Sequence, residues 1–192
     1  MSDRRWLISA AIAVAAIQII FLGSMIAGRA AILRSGQVVT LEVQPVDPRD
    51  LLRGDYIVLG YNISAIQKTL FAEPLPEAIE SEHDVYVRLE EGEGGIWMAV
   101  AASFDEPPEA APVEGQIDIR GSADPSWWNG AETIRVEYGI ERFYVPEGEG
   151  TAIETDMRER KFRMRVAVAG NGAAQIKSFH DGERMLYQEP IY

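Results

Sequence analysis

Phe162-Arg163-Met164-Arg165-Val166-Ala167-Val168-Ala169-Gly170-Asn171-Gly172-Ala173-Ala174-Gln175-Ile176-Lys177-Ser178-Phe179 reads as two strands and the turn between them. Phe162, Met164, Val166 and Val168 alternate with their neighbours at the period of a half-buried strand. Asn171-Gly172 is the pair that most readily takes the positive φ of a two-residue hairpin turn, so the chain folds back over Ala174 to Phe179. Asp181-Gly182 repeats the device and returns the chain through Met185 to Tyr187.

The same period extends outward. Val38, Val39, Leu41 and Val43 predict a first strand, stopped by Pro45 and Pro48, which have no amide hydrogen for a ladder. Tyr56 to Ile63 is apolar on both faces, as expected of a central strand. Val85, Val87 and Leu89 alternate with Tyr86, Arg88 and Glu90, and the Gly-rich segment 91–95 returns the chain through a partner strand from Ile96 to Ala102. Ile117 and Ile119 form a short strand between glycines. Ile134, Val136, Tyr138 and Ile140 share one face of a longer strand, whereas Phe143 and Val145 take the opposite parity, predicting a bulge near Glu141.

Helix is scarce in this part of the chain. Ser64 to Phe71 predicts about two turns, and Thr151 with Glu154 forms a capping box opening a short helix to about Arg160. Residues 104–114 read as an exposed loop. The expected fold class is mainly β: one compact, mostly antiparallel domain over residues 37–192, with one or two short helices, preceded by one N-terminal transmembrane helix.

That helix is Trp6 to Ala27, an uncharged apolar run. At about 1.5 Å per residue it matches the roughly 30 Å hydrocarbon core of a bilayer. Residues 1–5 are expected to be a cytoplasmic tail, 6–27 the anchor in contact with lipid, and 28–36 a juxtamembrane linker. Arg4 and Arg5 precede the span while Arg29 and Arg34 follow, so the charge bias is weak; the short tail favours an N-inside orientation, with the domain outside the cytoplasmic membrane. The competing reading is a cleaved signal peptide ending near Gly28-Arg29-Ala30, but its apolar core would be about 7–15 residues, shorter than this run.

Composition excludes several classes. There is no cysteine, hence no thiol nucleophile, zinc–thiolate or iron–sulfur site, and no lipid-modified cysteine. Net charge is −12; setting aside Asp3, Arg4 and Arg5 leaves 16 basic and 29 acidic residues, or −13. So acidic a domain is repelled by nucleic acid, and no nucleic-acid partner is expected. His83 and His180 are the only histidines and form no His-x-x-x-His pair. No cofactor is expected.

The most distinctive stretch is Val46-Asp47-Pro48-Arg49-Asp50-Leu51-Leu52-Arg53-Gly54-Asp55-Tyr56-Ile57-Val58-Leu59-Gly60-Tyr61. Pro48 holds Asp47 extended, Gly54 can adopt a positive φ, and the Asp55 carboxylate can accept backbone amide hydrogens where the strand begins. Period two places Leu59 and Tyr61 on one strand face and Tyr56 on the other. Gly54, Asp55, Tyr56, Leu59 and Tyr61 match in full the pattern of the GDYXXLXY family, which the chain resembles. Pro45-Val46-Asp47-Pro48-Arg49 and Tyr138-Gly139-Ile140-Glu141-Arg142-Phe143-Tyr144-Val145-Pro146-Glu147-Gly148 are similar to further family stretches. The resemblance implies a membrane-associated bacterial protein, with a multi-spanning membrane protein as partner, and carries over no catalytic position. A Pro followed by Gly-Asp and an apolar strand also resembles the serine–lysine signal peptidases. Here Pro45 occupies the place of their nucleophilic Ser, and Lys68 is poorly placed as a base, so that likeness implies at most an inactive scaffold.

Other clusters admit plain structural roles beside functional ones. Asp47, Asp50 and Asp55 read as a salt-bridged turn rather than a calcium loop, because Arg49 and Arg53 lie among them. Lys161, Arg163 and Arg165 share a strand face, with Arg158 and Arg160 just upstream; this stripe is expected either to meet an anion or acidic partner or to pair with Glu across neighbouring strands. Trp127-Trp128 is expected to pack on the domain, the alternatives being to stack on a sugar or lie at the membrane interface. Glu137 and Glu141 as a glycosidase pair are discounted, since nothing fixes their separation. The chain is therefore expected to be an anchored binding or assembly module with no catalytic residues. The alternative is a cell-envelope hydrolase using carboxylates from separate strands.

Overall fold

The computed structural model describes the chain except residues 1, 46–55, 72–74, 76–80, 125–131, 147, 149–152, 154–155, 158–159 and 191–192. A helix α1, Ser2–Ser35, leads directly into a mainly antiparallel β domain. Its segment Trp6–Arg34 is long and apolar enough to cross a membrane.

The helix does not stop where a linker was expected. Gly36 N donates to Ile32 O, continuing the helical pattern to the first residue before strand β1, Gln37–Pro45. Ala30 and Leu33 are buried, and α1 packs on β9, Phe162–Val168, and β10, Ala174–Asp181. A Cβ on Gly36 would lie 2.6 Å from Ile32 O and 3.1 Å from Val168 N, so glycine permits this close junction. Residues 28–35 are thus a docked helix end, because apolar side chains on one side of it find a sheet to cover.

The largest sheet has the order β11-β10-β9-β1-β2-β8, with β2 at Tyr56–Tyr61, β8 at Arg142–Tyr144 and β11 at Arg184–Gln188. The hairpins predicted at Asn171-Gly172 and Asp181-Gly182 are present. A second sheet of order β5-β4-β6 joins β4, His83–Glu91, to β5, Trp97–Phe104, on one side and β6, Gln116–Ala123, on the other. A two-stranded ribbon pairs β3, Ala65–Gln67, with β7, Thr133–Arg135. One apolar cluster joins all three: Leu41, Leu59 and Met164 from the first sheet, Val87 and Ile119 from the second, Ile66 and Ile134 from the ribbon. The sheets are tied at their margins. Asn62 Nδ2 donates to Trp97 O while Asn62 Oδ1 accepts from Glu42 N, and Arg120 N donates to Gly172 O.

Two local expectations are corrected. Residues 64–71 form strand β3 and a single 3₁₀ turn, Lys68–Leu70, instead of two helical turns, because Ile66 is drawn into the core beside Ile134. The long strand expected over 134–145 is broken: β7 and β8 belong to different sheets, and Gly139, at φ 76°, turns the corner. The side-chain parity changes near Glu141, as expected: Tyr138 and Ile140 on either side of Gly139 are both buried, and so, three residues past Ile140, is Phe143. Within the ladders, bulges occur between Arg88 and Leu89 of β4, where Val100 of β5 is the extra residue, and between Ile176 and Ser178 of β10, where Lys177 is. The second lets Ile176 and Phe179 both reach the core although they are three residues apart. Of the helix expected over 151–160, the described part shows Met157 N donating to Ile153 O and Arg160 N to Asp156 O.

Candidate functional site

The family-like stretches meet. Tyr56, Ile57 and Val58 pair with Tyr144, Phe143 and Arg142. Beyond that short ladder, Leu59 N donates to Glu141 O at 2.8 Å. Tyr61 is buried and its hydroxyl donates to Ile140 O at 2.6 Å; Tyr138, also buried, donates to Ile63 O at 2.7 Å. The two phenols therefore cross-link the same two segments in opposite directions. Each removes a backbone carbonyl from the list of groups that burial would otherwise leave unpaired. Burial, with the nearby Glu141 charge as a smaller cause, holds both phenols well above the usual tyrosine range. They act as fixed donors.

Leu59 fills the core, and Tyr56 lies on the opposite face, as the period predicted, next to Tyr144 and under the Arg142 guanidinium. Pro48, Gly54, Asp55 and the Asp47–Asp50–Asp55 cluster lie outside the described residues, as does Trp127-Trp128. Glu141 occupies the inside of the corner, its carboxylate accepting Tyr138 N. Burial raises its pKa above the ordinary range; hydrogen bonds from the backbone amides of Tyr138, Gly139 and Glu141 itself oppose that, and Glu137 adds to it. The carboxyl thus serves its own turn.

The basic stripe divides. Arg160 pairs with Asp156 and Asp181, Lys161 with Glu42 at 3.4 Å, and Arg163 with Glu183 at 2.8 Å. These are cross-strand and turn pairs of a solvated sheet face, each worth little on its own. Arg158 lies outside the described residues. Arg165 is exposed and has no carboxylate partner among the described residues. Its neighbours across the ladders are Thr40 and Ser178. It lines a groove of about 380 Å³ with Thr40, Glu91, Trp97, Arg163, His180 and Glu183, and with Gly94 and Gly95 of the turn after β4. Ser178 Oγ and His180 Nε2 are 2.8 Å apart, and burial together with the Arg165 charge lowers the His180 pKa. Sequence reasoning found the arginines but not this groove: Glu91, Thr40 and His180 are far apart in the chain and come together only through strand order.

A charged pair missed in the sequence lies on the other sheet. Arg88, expected on a solvated face, is buried and grips Asp118 with two hydrogen bonds of 2.8 Å. The Asp118 hydrogen bond raises the guanidinium pKa against the opposing effect of burial.

The fold and site define a class: an antiparallel β module on a single apolar helix, whose signature residues lock strands together. The family model described as GDYXXLXY protein matches residues 18–179, from within α1 to β10, and the chain belongs to that family. No curated protein and no solved structure matches it.

Proposed function

We propose that this protein is a bacterial inner-membrane binding or assembly module. In this reading α1 spans the cytoplasmic membrane, the β domain lies outside the cytoplasm, and the partner is an integral, multi-spanning membrane protein. The observation that carries the reading is the junction of helix and sheet. Ala30, Leu33 and Gly36 dock the helix end on β9 and β10, so the domain is held against its anchor instead of swinging on a linker. A rigidly held sheet presents the same surface at the membrane plane at all times, which lowers the orientational cost of meeting a partner confined to that plane. The hydrolase alternative asks for two free carboxylates converging in a cleft. The half-buried carboxyl at the family corner, Glu141, is instead committed to backbone amides.

The test is affinity purification of the full-length chain in mild detergent, followed by identification of co-purifying proteins. A multi-spanning protein should be recovered in stoichiometric amount and be absent when α1 is fused to an unrelated domain. Recovery of nothing beyond that control, or a mature N-terminus at Ala31 in membrane fractions, overturns the reading.

A further inference from the structure

Arg165 and Glu91 line one groove, both are exposed, and neither has an ion-pair partner among the described residues, including each other. The other described members of the stripe, Arg160, Lys161 and Arg163, each have a carboxylate. Two opposite charges that share a cleft without touching are complementary to a ligand carrying both signs.

Resting on the reading of the chain as an anchored binding module, we infer that this groove binds a phosphoethanolamine group, its phosphate on Arg165 and its ammonium on Glu91. The guanidinium fork matches two phosphate oxygens, a geometry an ammonium side chain does not offer. Thr40 flanks Arg165 on the neighbouring strand and lines the groove, and its hydroxyl is of the type that donates to the remaining oxygens. The volume of about 380 Å³ is at the small end of ligand sites, suited to a head group. The placement favours a lipid as the source. Val38, which lines the groove, follows the end of α1 at Ser35 by three residues. Thr40 and Arg165 share the outer sheet face with Ala167, which is fully buried, and Arg165 and Ala167 belong to β9, a strand that α1 contacts. Exposed charge contacts are individually weak, so a Kd on the order of 1 mM is expected for the free head group.

The test measures thermal unfolding of the full-length protein in detergent with O-phosphoethanolamine, inorganic phosphate or ethanolamine added. O-phosphoethanolamine should raise Tm by about 3–5 °C at tenfold Kd, and each half alone by far less. Arg165→Ala and Glu91→Gln should keep the unliganded Tm and lose the response, while Lys161→Ala, outside the groove, keeps it. Repeating the titration in nanodiscs separates the sources. If the soluble compound loses its effect in bilayers containing phosphatidylethanolamine but retains it in phosphatidylcholine, the lipid is the ligand; an equal effect in both assigns a free metabolite. No response in the wild type, a response matched by phosphate alone, or one surviving both groove substitutions overturns the assignment. A chain that still captures its membrane partner after that result loses only the groove ligand, not the proposed function.

Discussion

Replacing Tyr61 by Phe removes one oxygen from the core and nothing else. The Tyr61 ring is about 1% exposed, and its hydroxyl donates at 2.6 Å to the carbonyl of Ile140, itself a buried residue. A net hydrogen bond contributes about 1 kcal/mol, and a buried acceptor left without a donor adds a desolvation cost of comparable size. Tyr61→Phe should therefore cost about 1.5–2.5 kcal/mol, or roughly 3–8 °C in Tm for a chain of this size. Tyr138→Phe, which frees the Ile63 carbonyl, should cost about the same. Because both hydroxyls bridge the same two segments, the double variant should depart from additivity by at least about 0.5 kcal/mol. The assay is equilibrium unfolding of the full-length protein in detergent, monitored by near-UV circular dichroism. The pH dependence supplies a second check. The folded phenols bind their protons more tightly than unfolded tyrosines, so wild-type stability is retained below about pH 10 and falls above it. The gap between wild type and Tyr61→Phe should be constant from pH 6 to 9 and narrow beyond. An unchanged or raised Tm in Tyr61→Phe, with loss of complementation in cells, would refute the structural role and mark the motif as a functional site.

Asp118→Ala should destabilise by about 1.5–3 kcal/mol, since it orphans a buried guanidinium, and Asp118→Asn by less; chemical denaturation midpoints compare them. Gly121→Ala should cost about 1–3 kcal/mol: its Cβ would lie 2.6 Å from both Glu137 O and Val136 Cγ1, forcing β6 away from the segment it bridges, and a thermal scan reads the loss. Glu141 has a raised folded pKa, so its ionisation costs stability as pH rises through the unfolded value of about 4.3 towards the folded one. Glu141→Gln retains an acceptor oxygen for Tyr138 N, and its Tm relative to wild type should improve between pH 4 and pH 7; a pH-independent difference would contradict the burial argument.

Much of the fold was legible in the chain because strands and tight turns are governed by neighbours in sequence. Phe162 to Val168 can bury only one face at period two, and Asn171-Gly172 can turn without strain, so β9 and β10 could be drawn from the residues alone. The same holds for the apolar length of Trp6 to Ala27 and for the faces of Leu59, Tyr61 and Tyr56. Tertiary structure decided what depends on which strands become neighbours. Period two assigns Arg88 to a solvated face, and only the pairing of β4 with β6 places Asp118 opposite it. Tyr138 and Ile140 look like one strand with Tyr144 until Gly139 sends β7 and β8 into different sheets. The candidate groove is of the same kind. Arg165 is visible as a basic residue in the sequence, but its lack of a carboxylate partner among the described residues, and the arrival of Glu91, Thr40 and His180 beside it, come from contacts between distant segments that local periodicity does not encode.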